Sequence, residues 1–175
     1  EQNIYKYSLQ DVEEPNLYRE MFDYEEVPKI AFNHRRVPMN MPTDIWITDT
    51  SFRDGMQSMA PYTVKQRVDL FKYLARLGGP YGIIRQSEFF IYTKQDQEAI
   101  EKCMELGYKF PAITTWIRAK KEDFKKVKEL EIEETGILVS CSDYHIFKKM
   151  GMNRRQAIDF YLETIKDAFD AGIVP

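Results

Sequence analysis

The chain is short of the residues from which disulfide frameworks and multi-histidine metal centres are built. Only two cysteines, Cys103 and Cys141, and two histidines, His34 and His145, occur in 175 residues. The cysteines form no CxxC pair and fall in different predicted elements, so they read as buried free thiols in a reducing cytoplasm. No apolar run approaches the ~20 residues of a membrane helix, and no charged-then-apolar leader opens the chain. The sequence starts at Glu1 and not at Met, which reads as trimming or processing. A surplus of positive charge is also lacking: the formal net charge is −3. That gives no overall electrostatic footprint for nucleic acid, local basic patches aside, and does not suggest attraction to an anionic membrane surface. Neither a GxGxxG loop nor a GK[ST] motif is present, so nucleotide binding has no support.

Glycine is absent from residues 1–44, which are instead rich in Tyr, Glu and Pro. Tyr5, Tyr7, Leu17, Tyr18, Met21, Phe22 and Tyr24 are too many apolar groups for a solvated tail. This stretch is expected to be a packed extension, with a loose arm as the alternative. A short helix is expected near 15–23, begun by Pro15, and Pro28, Pro38 and Pro42 keep the following chain extended.

From residue 45 the pattern becomes rhythmic. Ile45–Thr48 reads as a short buried strand. Thr63 and Gln66 supply a capping box for a helix whose face carries Val68, Phe71, Leu74 and Leu77, ended by Gly78-Gly79-Pro80. Ile83-Ile84 begins a second strand leading to Gln86-Ser87-Glu88. Thr93 caps a second helix bearing Ile100, Cys103, Met104 and Leu106, which stops at Gly107. Phe110–Thr115 is a third strand, and Phe124, Val127 and Leu130 mark a third helix stopping near Gly136. Ile137–Cys141 is a fourth strand. Asn153 and Gln156 open a fourth helix, with Ile158, Leu162, Ile165 and Phe169 on its buried stripe and Gly172 at its end. The helix-ending glycines at 78, 107, 136 and 172 are spaced by 29, 29 and 36 residues, the length of one strand–helix unit, which implies a parallel α/β sheet. Ile173-Val174 looks like the start of a fifth strand. The fold class expected is the first four βα units of a TIM (β/α)₈ barrel over 45–175, cut off as strand five begins, with an N-terminal extension over 1–44. A four-stranded open sheet is the alternative.

A barrel gathers the loops after its strands at one face. After strand one these are Asp49, Thr50, Arg53, Asp54 and Gln57; after strand two, Gln86 and Glu88. Strand three offers Thr114, Thr115 and Arg118, the last read as a solvated helix start. Strand four offers Ser140, Ser142, Asp143 and His145. Asp54 is a hard oxygen donor suited to a divalent cation. Arg53 is a permanently charged fork for an enolate or carboxylate. Glu88 can orient Arg53 or handle a proton, and His145 can act as base or ligand.

Asp49-Thr50-Ser51-Phe52-Arg53-Asp54-Gly55-Met56-Gln57 resembles the signature D-[ST]-[ST]-[LF]-R-D-G-x-Q of the pyruvate carboxyltransferase-like superfamily, the DRE-TIM metallolyases, at every specified position. The likeness extends over roughly residues 45–172 by the order of units. It implies that Asp54 ligates a divalent metal (Zn, Mg or Mn), that Arg53 stabilises the enolate oxygen, and that Glu88 stands at the end of strand two. It further implies Gln57 in contact with substrate or holding Arg53. Thr115, offered at the end of strand three, is expected to bind substrate. Ser142-Asp143-Tyr144-His145 is similar to the Ser-x-x-His of the synthase branch, which favours an acyltransferase of the isopropylmalate/homocitrate synthase type over a lyase. A cytoplasmic homo-oligomer is expected. Its partners would be acetyl-CoA and a small 2-oxo acid, with no nucleic acid or membrane. The alternatives are a carbon–carbon lyase or aldolase on the same site, or a catalytically incomplete half-barrel that pairs with another chain. Two departures stand out. Phe89-Phe90 follows Glu88 where the family has a small residue, and the His-x-His pair that completes the family's metal site on strand seven has no counterpart here.

Overall fold

The computed structural model describes residues 11–15, 31–32, 35–36 and 43–175. The expected helix over 15–23 and the prolines at 28, 38 and 42 lie outside the described residues, Pro15 apart. The described residues fall into two compact units. One holds residues 140–162 with the described residues of 11–36; the other holds 43–139 and 163–175.

In the first unit, β1 (Ala31–Phe32) pairs antiparallel with β2 (Arg35–Arg36). The unit also holds a five-residue π-helix, His145–Lys149, and a bidentate pair in which Arg154 Nε and Nη2 reach Asp143 at 2.8 and 2.7 Å.

The second unit is half of a (β/α)₈ barrel. Its strands are β3 (Ile47–Asp49), β4 (Ile84–Phe89), β5 (Ala112–Arg118) and β6 (Thr135–Leu138). They lie side by side in chain order, every neighbour parallel. A doubly wound sheet would reverse its order at a switch point; this one does not. Between the strands run α1 (Val64–Gly78), α2 (Lys94–Met104) and α3 (Lys121–Glu129), and of α4 (Arg154–Asp170) residues 163–170 belong to this unit. Val174 bridges in parallel to Glu134, so a fifth strand begins where the sequence placed it. One buried cluster joins Phe71 of α1, Ile100 and Cys103 of α2, Phe124 and Val127 of α3 and Ala168 of α4 to Phe89 and Ile117 of the sheet. α1, α2, α3 and the end of α4 therefore cover one face, and the other is left for the barrel interior.

The helix starts follow local chemistry. Thr63 and Gln66, then Thr93 and Asp96, form complete capping boxes, and Asn153 and Gln156 exchange the same reciprocal bonds at 2.9 Å. Each satisfies donors the first helical turn leaves open.

Several expectations are corrected. The first strand is two residues later than expected and is not buried: Ile45, Trp46 and Ile47 are exposed because β3 is an edge with a single neighbour. Leu77 is exposed on α1, whereas Arg67 is buried. On α4 the stripe of Leu162, Ile165 and Phe169 is exposed and the buried positions are Ala157, Thr164 and Ala168; small side chains let a helix approach its support more closely than the large ones would. Cys103 is buried but Cys141 is exposed. Gly136 does not end a helix. The α3 terminus turns through Glu131 at φ 57°, and Gly136 lies inside β6. A Cβ there would overlap the Trp116 indole, its register partner on β5.

Candidate active site

The motif loop is fixed from both ends. The main-chain N–H groups of Arg53 and Gly55 both donate to Thr50 O, at 3.0 and 3.2 Å. The Asp49 carboxylate accepts from Ser51 Oγ at 2.7 Å and from Ser87 Oγ of β4 at 2.8 Å. Phe52 is fully buried and stacks on Phe89, with ring centroids 4.3 Å apart. Asp49, Ser51 and Phe52 thus hold the loop, and this frees the residues after them for chemistry.

Those residues converge at the C-terminal end of the sheet. Arg53 Nε donates to Glu88 Oε2 at 2.7 Å, and Arg53 Nη2 lies 2.9 Å from Asp54 Oδ2. Gln57 Nε2 donates to Asp54 Oδ1 at 3.1 Å. Gln57, expected at the substrate or on Arg53, therefore holds Asp54. The guanidinium carbon of Arg53 sits 4.7 Å from the ring centre of Trp116. A cation over an indole face gains from the ring quadrupole, more so when partly desolvated. Acid on one edge and indole on one face fix the plane of Arg53, whose side chain is only 16% exposed.

A cavity of about 350 Å³ opens beside this cluster, lined by Arg53, Gln57, Tyr92, Trp116, Arg118 and Leu138 among others. Successive residues of a strand point to opposite sides. On β5 this sends Trp116 and Arg118 to the cavity and Thr115 away from it, while Ile117 belongs to the buried core and also borders the cavity. Thr115, expected to bind substrate, is fully buried, its hydroxyl shared with that of Thr135. The discrepancy comes from the strand, which ends at Arg118 and not at Thr115. The same alternation splits Phe89-Phe90: Phe89 packs against Phe52 and Phe71, and only Phe90 reaches the cavity.

Arg118 is not a freely solvated helix start. Its Nε and Nη2 reach Asp123 Oδ2 and Oδ1, both at 2.8 Å, and Tyr92 Oη donates to the same Oδ2 at 3.0 Å. Asp123 is fully buried. The Arg118 guanidinium holds its carboxyl below the usual carboxylate range, while burial and then the bond to Asp123 push the Tyr92 hydroxyl up. Trp116, Tyr92 and Asp123 were not singled out from sequence. The one available signal was parity, since 114, 116 and 118 share a strand face.

His145 opens the π-helix of the other unit, exposed, with its main-chain N–H donating to Ser142 Oγ at 3.3 Å. As for a metal, Asp54 is a half-exposed carboxylate at the mouth of the sheet and fits as one hard oxygen ligand. Among the described residues no three His, Cys, Asp or Glu side chains gather around it.

Residues 44–174 match the HMGL-like family. The chain belongs to that family. Within it, the chain is 56% identical over 98% of its length to a citrate (Re)-synthase of Clostridium kluyveri, covering 38% of that protein. It is 53% identical over 98% of its length to a citrate (Re)-synthase of Syntrophus aciditrophicus, covering 27%. To a 2-phosphinomethylmalate synthase of Streptomyces hygroscopicus it is 34% identical over 96% of its length, covering 39%. The chain thus spans well under half the length of the relatives it matches. HMGL-like membership agrees with the motif and with the half-barrel. Among the described residues, no helix is long and apolar enough to cross a membrane.

Proposed function

We propose that the complete protein is an acyltransferase that condenses acetyl-CoA with a 2-oxo acid, and that the oxo acid is oxaloacetate and the product citrate. The observation that carries this is the likeness, at 56% and 53% identity over nearly the whole chain, to citrate (Re)-synthases of two organisms. In this reading residues 45–175 form the first half of the catalytic barrel, residues 1–44 precede it as an extension, and further chain supplies the remaining units.

The acetyl methyl carbon loses a proton and forms a bond to the oxo carbon of the acid. The oxo oxygen becomes the hydroxyl of citrate, and water cleaves the thioester to release CoA with a free thiol. A divalent metal held in part by Asp54 supplies Lewis-acid polarisation when bound. Arg53, its plane set by Glu88 and Trp116, presents a fixed positive charge where negative charge develops on oxygen. Because Glu88 and the indole hold it beforehand, little reorganisation is needed during reaction. Gln57 holds Asp54 through the bond from Nε2 to Oδ1. His145 is assigned the proton step from its place after the fourth strand in sequence.

The test is to offer complete protein acetyl-CoA with oxaloacetate, 2-oxoisovalerate or 2-oxoglutarate, following free CoA thiol and product mass. Citrate is the expected product. No thiol release with any of the three acids, or full activity retained in Asp54→Ala, overturns the assignment.

A further inference from the structure

Two arginines line the cavity, and they are held alike. Arg53 gives one edge to Glu88 at 2.7 Å and lies over Trp116 at 4.7 Å. Arg118 gives one edge to Asp123, twice at 2.8 Å, and lies over Tyr92 at 5.2 Å. In each case an acid and an aromatic ring fix the guanidinium plane. In each case the bonds to the acid run through Nε and Nη2, and no hydrogen bond from Nη1 is found among the described residues. Asp123 is itself fully buried and Tyr92 is bonded to it, so the support beneath Arg118 is rigid. The Arg118 side chain stays 56% exposed at the cavity wall. A solvated surface arginine needs no buried acid with a tyrosine bracing it from a second side. A guanidinium that must meet a planar anion in one orientation does, because a pre-set fork loses less freedom on binding.

We propose that Arg118 is a second carboxylate anchor of this site, taking the distal carboxylate of a dicarboxylic 2-oxo acid whose reacting end lies toward Arg53. This rests on the 2-oxo acid reading above and adds to it the residue that selects a four-carbon diacid over a monoacid. A monocarboxylic 2-oxo acid would leave the Arg118 fork without its anion. Sites built around a polar substrate group reject analogues lacking it more strongly than apolar pockets reject extra bulk.

The experiment compares oxaloacetate with 2-oxobutyrate, of equal chain length and one carboxylate, in complete wild-type protein and in Arg118→Gln. Since Arg118→Gln leaves Asp123 buried without its cation, Arg118→Gln/Asp123→Asn is made beside it. Binding of the unreactive diacid succinate is measured by calorimetry on all three. The wild type is expected to favour oxaloacetate. Both variants should lose roughly 10- to 100-fold in kcat/KM for oxaloacetate relative to 2-oxobutyrate, the worth of a charged hydrogen-bonded pair, and succinate affinity should fall by a similar factor. A wild type that condenses neither acid overturns the functional reading itself. A wild type that condenses oxaloacetate, with variants whose preference and succinate affinity stay within about twofold of it, overturns only the role given to Arg118. If the single variant is misfolded, the charge-balanced double variant decides.

Discussion

Arg53 and Glu88, 35 residues apart in sequence, meet through a 2.7 Å bond from Nε to Oε2 that fixes which edge of the guanidinium remains for a ligand. The second edge contact, to Asp54, is more exposed and shared with Gln57. Glu88 is therefore the stronger orienting group. Glu88→Gln keeps the shape but weakens the charge-assisted bond, so kcat should fall on the order of 10²-fold, the scale of a small misplacement at a reacting centre. KM for the oxo acid should change less. Steady-state kinetics on the complete protein check this, and an unchanged kcat would remove Glu88 from the orienting role.

Trp116 can lie flat on Arg53 only because its register partner across the strand pair has no side chain. Gly136→Ala puts a methyl group into the indole. The indole must tilt, Arg53 loses its stacking face, and stability should fall by about 1–3 kcal/mol, the usual cost of overpacking. Replacing Trp116 with Leu in the same chain should return most of that loss, since the clash is then gone. Unfolding midpoints of the two single variants and the double variant give the coupling, expected in the range of about 0.5–3 kcal/mol for residues in contact. Additive effects would show that the glycine serves some other purpose.

The Arg118–Asp123–Tyr92 group should leave a mark at both ends of the pH range. The Asp123 carboxyl is held below its ordinary value by Arg118, so the folded chain binds that proton less readily than the unfolded chain does. The resulting stability is present above the unfolded value of about 3.9 and is lost as pH falls through the lower folded value. The Tyr92 hydroxyl is raised, by burial first and then by Asp123. Its contribution holds below about 10 and is lost as pH rises through the folded value. Asp123→Asn should flatten the acid limb of a stability–pH curve. Tyr92→Phe should flatten the alkaline limb, with little change near neutrality in its shape.

What could be read in the sequence was what depends on neighbours along the chain. Thr63 with Gln66 and Asn153 with Gln156 mark helix starts because a capping box needs only four consecutive residues. The nonapeptide at 49–57 was legible for the same reason. The sequence pattern could show that Leu162, Ile165 and Phe169 share one helix face, but periodicity does not say what covers a face, and in the structure they are exposed. The third strand runs three residues past its expected end because its apolar run continues through Trp116 and Ile117, and that slip put Trp116 at the cavity in place of Thr115. Gly136 looked like a helix stop because its real partner, Trp116, lies 20 residues away on another strand. Pairs such as Arg118 with Tyr92 become visible only once the sheet order is known.

Arg67 is the clearest case of a residue whose charge hides its place in the core, and it carries the last prediction. It shares the stripe of Phe71 and Leu74 on α1, at i, i+4 and i+7, and like them it is almost fully buried. Its Nη1 meets Asp96 Oδ1 of α2 at 2.6 Å, and its Nε donates to Tyr62 O at 3.0 Å. Asp96 in turn accepts from the Thr93 main-chain N–H at 2.9 Å, so one carboxylate both caps α2 and ties it to α1. Removing the cation alone leaves a buried carboxylate uncompensated, which costs about 3–5 kcal/mol in comparable pairs. Arg67→Met should therefore be strongly destabilising. Arg67→Met with Asp96→Asn should recover most of the loss, because the amide oxygen can still cap Thr93 while the buried charge is gone. Urea unfolding midpoints of the three proteins decide it. A double variant no better than Arg67→Met would mean that the pair's value lies in packing and the bond to Tyr62, not in balancing charge.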